Sequence, residues 1–546
     1  MKITFKDKIY EINKKTRVNE LLKEEIQKSK HQVMGCIVNN EYQRLDFELE
    51  KDSNIELIDT TSKVGIDIYK TTLLYIMGKA ITKLYPKALI TVNYQLGDAM
   101  YCQIDNMEIT YEMLNKVYIE MKDIIDRDLK IEKVKMNREQ AEEFYQEQKT
   151  CKGMLQLDLS RNKFVYMYFC EDYYNYFYDI LAISTGVIKL FDLIKYKDGF
   201  LVRYPNKKNP NILPEYKELK KLNQALDEYE MLHRELTVNT VYRLNKAVKN
   251  EQIKDVIMID EALHEKKIAQ IADEIAKNPD IKMVLIAGPS SSGKTTFAQR
   301  LGIQLRVNGI KPVTISVDNY FVERKDNPKD ENGNYDFECI EAIDLDLFNN
   351  HLKKLLKGEE IEMPEFDFYE GKKKYKGKKL KLEKDEILVI EGIHCLNDKL
   401  TSKIPKDRKY KIYISALTVL NMDYYNRIST TDNRLIRRIV RDYKFRGYNA
   451  KHTLETWHMV NKGEEKNIFP FQEEANSMFN TSLIYELGVL KDVAIHILEE
   501  IKSDKKEYAE ARRLINLLQY FETIPEEYVP KNSLLKEFLG GGDFKY

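Results

Sequence analysis

The spacing of apolar positions changes along the chain, and each change marks a different part. Ile3-Thr4-Phe5 and Tyr10-Glu11-Ile12 alternate with period two, as half-buried strands do, and Val18-Asn19-Glu20-Leu21-Leu22 then moves to helical spacing. Residues 1–62 therefore read as a small α+β domain. From Gly65 the run IYKTTLLYIMGKAITKLYP sets Leu73, Leu74, Met77 and Ile81 on one helical face and stops at Pro86. Alternating segments and further helices continue to Arg203, so 63–203 reads as a second α+β domain. Pro205, Pro210 and Pro214 then break regular structure, and a mostly helical connector fills out 204–280.

Beyond the connector, strand and helix alternate: MVLIA, a helix, VTISV, a helix, ILVI, then KIYIS and more helices. Continuously apolar strands separated by helices predict an α/β domain over 281–500, with a parallel sheet covered on both faces, and a helical tail over 501–546.

Composition narrows the function classes. At 546 residues the chain exceeds one ordinary core. Lys plus Arg equals Asp plus Glu, 88 each, so no overall field draws nucleic acid or an anionic membrane, and any anion site must be local. The six cysteines form no C-x-x-C pair, which argues against zinc or a disulfide framework. The N-terminus lacks the apolar core of a signal peptide, and the longest apolar stretch, Ile180 to Ile194, is broken by Lys189 and Asp192. A cytoplasmic protein without a membrane partner is expected. The basic run GKKKYKGKKLK reads as a solvated hairpin.

One segment carries chemistry outright. Gly288-Pro289-Ser290-Ser291-Ser292-Gly293-Lys294-Thr295 fits G-x-x-x-x-G-K-[ST], preceded by a strand and followed by a helix that begins TTFAQRL. Its backbone N–H groups can cradle phosphate, Lys294 can reach the outer phosphates and Thr295 can supply a magnesium ligand, with Thr296 next in line. The strand Ile387-Leu388-Val389-Ile390 ends in Glu391, an acid suited to a site beside that metal. Asp318 follows VTISV directly. In an open parallel sheet, the carboxyl ends of strands define the ligand crevice, so Lys294, Asp318 and Glu391 should converge there. Asp318 read by position alone is a turn or cap residue; near a phosphate it can accept the proton of an attacking hydroxyl.

Taken in order, these residues resemble the uridine/cytidine kinase family, within the group that includes phosphoribulokinase. The resemblance runs from about Lys282 to Leu490 and rests on the P-loop, Asp318 with Tyr320, Tyr335-Asp336, Phe366-Asp367-Phe368, Glu391-Gly392 and RLIRRIVRDYKFRGY from Arg434 to Tyr448. It implies ATP and Mg²⁺ as cofactors, Asp318 as general base, and Asp336 holding ribose hydroxyls with help from Arg441. It further implies a base pocket lined by Phe366 and Phe368, and Arg438, Arg441 and Arg446 neutralising the transferred phosphate. Two positions depart from the family pattern: Tyr448 stands where the lid has arginine, and Glu370-Gly371-Lys372 stands where nucleoside kinases place a base-contacting histidine.

The front half resembles threonyl-tRNA synthetase, with 1–62 similar to its TGS domain and 63–203 to its editing-type domain, on YKTTLLYIMGKAITKLYP. The family's first histidine pair falls on Thr71 and Tyr75, and neither Cys151 nor Cys170 has a histidine four residues on, which argues against editing hydrolysis or metal binding. The leading expectation is phosphoryl transfer from ATP to the 5'-hydroxyl of uridine or cytidine. The alternatives are a sugar-phosphate kinase of the phosphoribulokinase type, or a tRNA- or nucleotide-sensing binding protein. Balanced charge argues against nucleic acid as a partner, although the front domains leave that route open, as they do a homo-oligomer.

Overall fold

The computed structural model describes residues 1–147, 157, 164–329, 333, 335–367 and 370–545, so Cys151 and Phe368 lie outside the described residues. At the front, the strands Lys2–Phe5, Lys8–Glu11, Val33–Val38, Glu41–Gln43 and Ser53–Asp59 form one sheet with Ser53–Asp59 in the middle. Their inward residues Ile3, Phe5, Val38 and Ile55 close a small core with Val18 and Leu22.

The helix Lys63–Leu84 starts where the Ser62 hydroxyl accepts the Gly65 N–H at 3.0 Å, and it ends before Pro86. It packs on the helix Tyr111–Asp126 and on an antiparallel sheet of Ile90–Leu96, Ala99–Ile104, Asp192–Tyr196 and Gly199–Arg203. A second sheet, Glu132–Asn137, Phe164–Cys170 and Tyr173–Tyr176, meets its other side. There Tyr75 is fully buried, with its hydroxyl 3.1 and 3.2 Å from the carbonyl oxygens of Tyr168 and Tyr173. Its ring meets Tyr173 and Phe177 edge-on at 5.0 and 5.8 Å. The Thr71 hydroxyl donates back to the Asp67 carbonyl at 2.8 Å.

The connector is a wedge between the two halves. On the helix Lys220–Glu235, Leu222, Leu226 and Tyr229 share a core with Tyr94 and Tyr101 of the front half and with Leu417 and Val419 of the rear. Backbone bonds stitch the same seam: Val92 N–H donates to Tyr424 O at 2.8 Å, and Val241 N–H to Asn421 O at 2.9 Å. The Asn421 side-chain amide donates to Val92 O at 2.9 Å. The helix Ile253–Ala276 then lies along the helix Lys294–Val307, where Arg300 reaches Glu265 at 2.8 Å and Glu261 at 3.3 Å.

The rear sheet is wholly parallel, in the order Lys311–Ser316, Glu386–Glu391, Met283–Ala287, Lys409–Ser415, Ser477–Asn480. Apolar clusters cover both faces, which is why Met283–Ala287 is buried at every position. A two-stranded hairpin, Ile361–Asp367 with Lys372–Leu380, stands beside it. Its lysines are largely paired: Lys373 with Asp344, Lys374 with Asp367 and Glu370, Lys376 with Glu365 and Lys379 with Glu360. Residues after 501 join the rear core, with Leu514, Leu517, Leu518 and Phe538 packed among Ile436, Ile439 and Leu490. Among the described residues, no helix is long and apolar enough to cross a membrane.

Candidate active site

The middle strand of the rear sheet, Met283–Ala287, runs into the loop 288–293 and the helix that starts at Lys294. Two glycines are required here for separate reasons. A Cβ at Gly288 would stand 2.2 Å from the Ile414 carbonyl oxygen, and Gly293 takes φ +82° at the helix N-terminus. Ser291 is also left-handed, at φ +59°. Its hydroxyl and that of Ser292 are buried without a hydrogen-bond partner among the described residues, as polar atoms lining an anion cradle would be. Pro289 contributes its carbonyl, which accepts the Ser292 N–H at 3.2 Å. Lys294 arches back over the loop and donates to Gly288 O at 3.0 Å and Pro289 O at 3.2 Å. Ser290 is held from outside: its N–H donates to Glu464 at 2.8 Å, and its hydroxyl accepts from Arg438 at 2.8 Å. Thr295 is half-buried in the first helical turn, whereas Thr296 is fully buried and donates its N–H and hydroxyl to Glu537 at 3.2 and 2.7 Å.

The parallel register sets Glu391 opposite Ile286 on one side and Ser316 on the other, so Glu391 and Asp318 finish at the same sheet edge as the loop. Their electrostatics show the shared cleft. Burial raises the Glu391 carboxyl above its ordinary range and Asp318 adds to the rise, while Lys294 opposes it. Asp318 is raised by the protein mass around it and lowered by Lys294 and Arg446. Its side chain nevertheless keeps a solvent-exposed face. Lys294, Asp318 and Glu391 thus meet, as the strand ends imply.

The acceptor side differs from the sequence reading at several positions. Asp318 is the second residue of a 3₁₀ turn, Val317–Tyr320, and that turn breaks the two-residue alternation of the strand before it. Tyr320 therefore points into the core, 1% exposed, against Phe348 at 4.8 Å and within 3.1 Å of His351 Nδ1. The following residue, Phe321, meets Phe366 at 5.5 Å and Phe337 at 6.3 Å; the first two rings are buried in the same apolar cluster as Tyr320, 8% and 6% exposed, so this aromatic wall meets solvent mainly through Phe337, 39% exposed. Tyr335 extends that wall outward, 6.0 Å from Phe337 and 41% exposed.

Asp336 spends its carboxylate locally, accepting the Glu338 N–H at 3.0 Å, with Lys466 at 3.9 Å. Glu338 is the acid in the cleft. Burial and Glu464 push it up to about 7 against the pull of Arg438 and Lys294, and Asp318 acts on it too. The charges that act most on Arg441 are Arg446, Asp442, Glu537 and Arg438.

The helix Thr430–Phe445 carries its arginines in two sets. Arg434 and Arg437 are buried and fixed, the first in a bidentate pair with Glu464 at 2.6 and 2.7 Å, the second on Glu486. Arg438, Arg441 and Arg446 surround the buried Asp442, at 3.1, 3.6 and 3.4 Å. The three guanidinium groups share that one acid, and Arg438 also reaches the loop at the Ser290 hydroxyl. Phe321, Phe337, Glu338, Asp442 and Glu464 were not singled out from sequence. Phe337-Glu338 was the readable signal, an aromatic followed by an acid two residues beyond Tyr335-Asp336.

With this geometry, comparisons with known proteins agree. Residues 283–483 match the model of the "Phosphoribulokinase / Uridine kinase family". A uridine kinase of Halobacterium salinarum is 28% identical over 39% of this chain and 84% of its own length. That of Mycoplasma genitalium is 29% identical over 33% of this chain and 74% of its own. The front half is similar to threonine–tRNA ligases: that of Acetivibrio thermocellus is 28% identical over 36% of this chain, but the match spans only 31% of the ligase. A solved structure described as a possible uridine kinase from Bacillus stearothermophilus covers 39% of this chain and 100% of its own at 18% identity, with a TM-score of 0.26, too low to carry an argument. Residues 283–483 are a kinase domain of the phosphoribulokinase/uridine kinase family, set behind a front half similar to the threonine–tRNA ligases.

Proposed function

We propose that the protein is a cytoplasmic nucleoside kinase that moves the γ-phosphate of ATP to the 5'-hydroxyl of uridine or cytidine. The observation that carries the reading is that Lys294 and Asp318 act on Glu338, which directly follows Phe337 of the ring cluster Phe321, Phe337 and Phe366. An aromatic wall suits a flat base, and an acid beside it suits the hydroxyls of a ribose. The same wall argues against a sugar phosphate, whose second phosphate would need free cations near the hairpin, where the lysines named above are paired with acids.

In this reading Asp318 accepts the proton of the 5'-hydroxyl as its oxygen bonds to the γ-phosphorus, and ADP leaves with the electrons of the broken P–O bond. Lys294, Arg438 and Arg446 stabilise the charge spread over the transferring oxygens. Magnesium, when bound, would draw charge from the nucleotide phosphates, with Thr295 and Glu391 as its protein ligands. Among the described residues, no group of three or more His, Cys, Asp or Glu could hold a metal ion. The front half, 1–203, would serve as a binding module without hydrolysis, since Tyr75 fills the inner face of its long helix.

The test is an ATP-dependent phosphorylation screen of uridine, cytidine, the purine nucleosides and ribulose 5-phosphate, with products identified by mass spectrometry. Uridine and cytidine 5'-monophosphates are expected. A bisphosphate from ribulose 5-phosphate alone would replace the nucleoside reading, and no ATP consumption with any acceptor would end it.

A further inference from the structure

The end of the chain returns to the phosphate loop. Residues 533–542 lie across the start of the helix Lys294–Val307, anchored by Leu534, Leu535 and Phe538, which are at most 1% exposed. Leu534 sits against the loop itself, since a Cβ on Gly293 would fall 2.6 Å from its Cδ2. Phe538 packs 5.1 Å from the Arg437 guanidinium, and Lys444 donates to Leu539 O at 3.0 Å. Between these anchors Glu537 is 8% exposed, and its carboxylate accepts both the N–H and the hydroxyl of Thr296. Among the described residues no ion pair neutralises Glu537; the cation it acts on is Arg441, which burial and Arg446 push down to about 10 while Asp442 and Glu537 oppose the fall.

A buried carboxylate on an amide in the first turn of a phosphate-binding helix has the chemistry of a phosphate oxygen: one negative charge, accepting N–H and O–H bonds, in the positive field of the helix end. We propose that Glu537 is a residue of the nucleotide site, whose carboxylate fills a phosphate position at Thr296 until a nucleotide displaces it. The inference rests on the reading of the loop as the ATP phosphate site. The Thr296 N–H has one hydrogen, so carboxylate and phosphate cannot both take it, and two anions at one position repel. Displacement does not require the strap to unfold. The Glu537 side chain can rotate away while Leu535 and Phe538 stay in the core, and Gly540, Gly541 and Gly542 follow immediately, the first two at φ +85° and +69°. Nucleotide affinity is then lowered by the fraction of molecules in which the carboxylate holds the position.

The experiment compares the full chain with E537A and E537Q, titrating ATP, ADP and adenosine without acceptor by calorimetry. The fluorescence of Trp457, the chain's one tryptophan, 5.5 and 5.8 Å from the Arg434 and Arg438 guanidinium groups, gives a second readout. Removing the competing anion should tighten ATP and ADP about tenfold in E537A and less in E537Q, whose amide oxygen still accepts from Thr296. Adenosine, having no phosphate, should bind all three proteins alike. Unchanged or weaker ATP binding in E537A, with the fold intact, would overturn the proposal and make Glu537 a structural cap. Should E537A fail to fold, the isosteric E537Q decides in the same way: tighter ATP supports the proposal, equal or weaker ATP sinks it. If neither nucleotide binds the parent protein or the variants, the phosphate-site reading fails, and this inference with it.

Discussion

The rear cleft and the inner face of the helix Lys63–Leu84 are finished in opposite ways. In the rear, charge is concentrated and left incompletely matched: three arginines share Asp442, and Asp318, Glu338 and Glu391 crowd toward Lys294. In the front, Tyr75 fills the space with a ring and gives its hydroxyl to backbone carbonyls, while Thr71 bonds within its own helix. Unmatched charge costs stability and persists where a ligand completes it; a satisfied aromatic plug is what packing alone selects. The difference separates a charged cleft that a ligand could complete from a face closed by packing.

Substitutions should reproduce that contrast. The largest effect belongs to Lys294→Ala, which should reduce turnover below detection while thermal unfolding moves by only a few degrees, because the Lys294 ammonium bonds to loop carbonyls rather than a core; loss of the fold would show a structural lysine instead. Next is Asp318→Asn, expected to lower kcat by about 10² to 10⁴-fold with ATP binding retained. Near-normal kcat in single-turnover kinetics would return Asp318 to the role of a turn residue, since Asn fits turns equally well.

Glu338→Gln should raise acceptor KM about tenfold, and Asp336→Asn should leave it nearly unchanged; the reverse result would restore the assignment read from sequence. A pH series sharpens the same point. The Glu338 carboxyl is raised to about 7, so it is largely neutral below that pH and ionises above it. If the carboxylate holds the acceptor, KM should fall as pH rises through about 7, and the inflection should vanish in Glu338→Gln. The smallest effect is in the front half, where Tyr75→Phe should cost about 1 kcal/mol in denaturant unfolding and leave kcat untouched. A change in kcat from that distant hydroxyl would mean the front half takes part in catalysis.

The phosphate loop was legible because its chemistry is written in the backbone: glycine positions, a preceding strand and a following helix all show in local sequence. The convergence of Lys294, Asp318 and Glu391 was legible too, since parallel strands end on one edge. Side-chain direction was not. Nothing in VTISVDNYF announces that a 3₁₀ turn breaks the alternation and buries both Tyr320 and Phe321. Nor can a run of arginines say which are structural, because the acids that fix Arg434 and Arg437, Glu464 and Glu486, come from helices 30 and 49 residues away. The tail read as a helical appendage for the same reason, as its contacts with Gly293 and Thr296 span some 240 residues.

The seam at Val92 has a practical consequence for handling the protein. The strand Ile90–Leu96 lies at the edge of its sheet, and its outward N–H and C=O groups are met by Tyr424 and Asn421 of the rear half. A front half expressed alone would present that edge bare, with Tyr94 and Leu96 uncovered beside it, and an open apolar edge recruits other strands. Cut between its halves, this chain should yield inclusion bodies from the front piece, and a soluble front fragment would need that edge blocked.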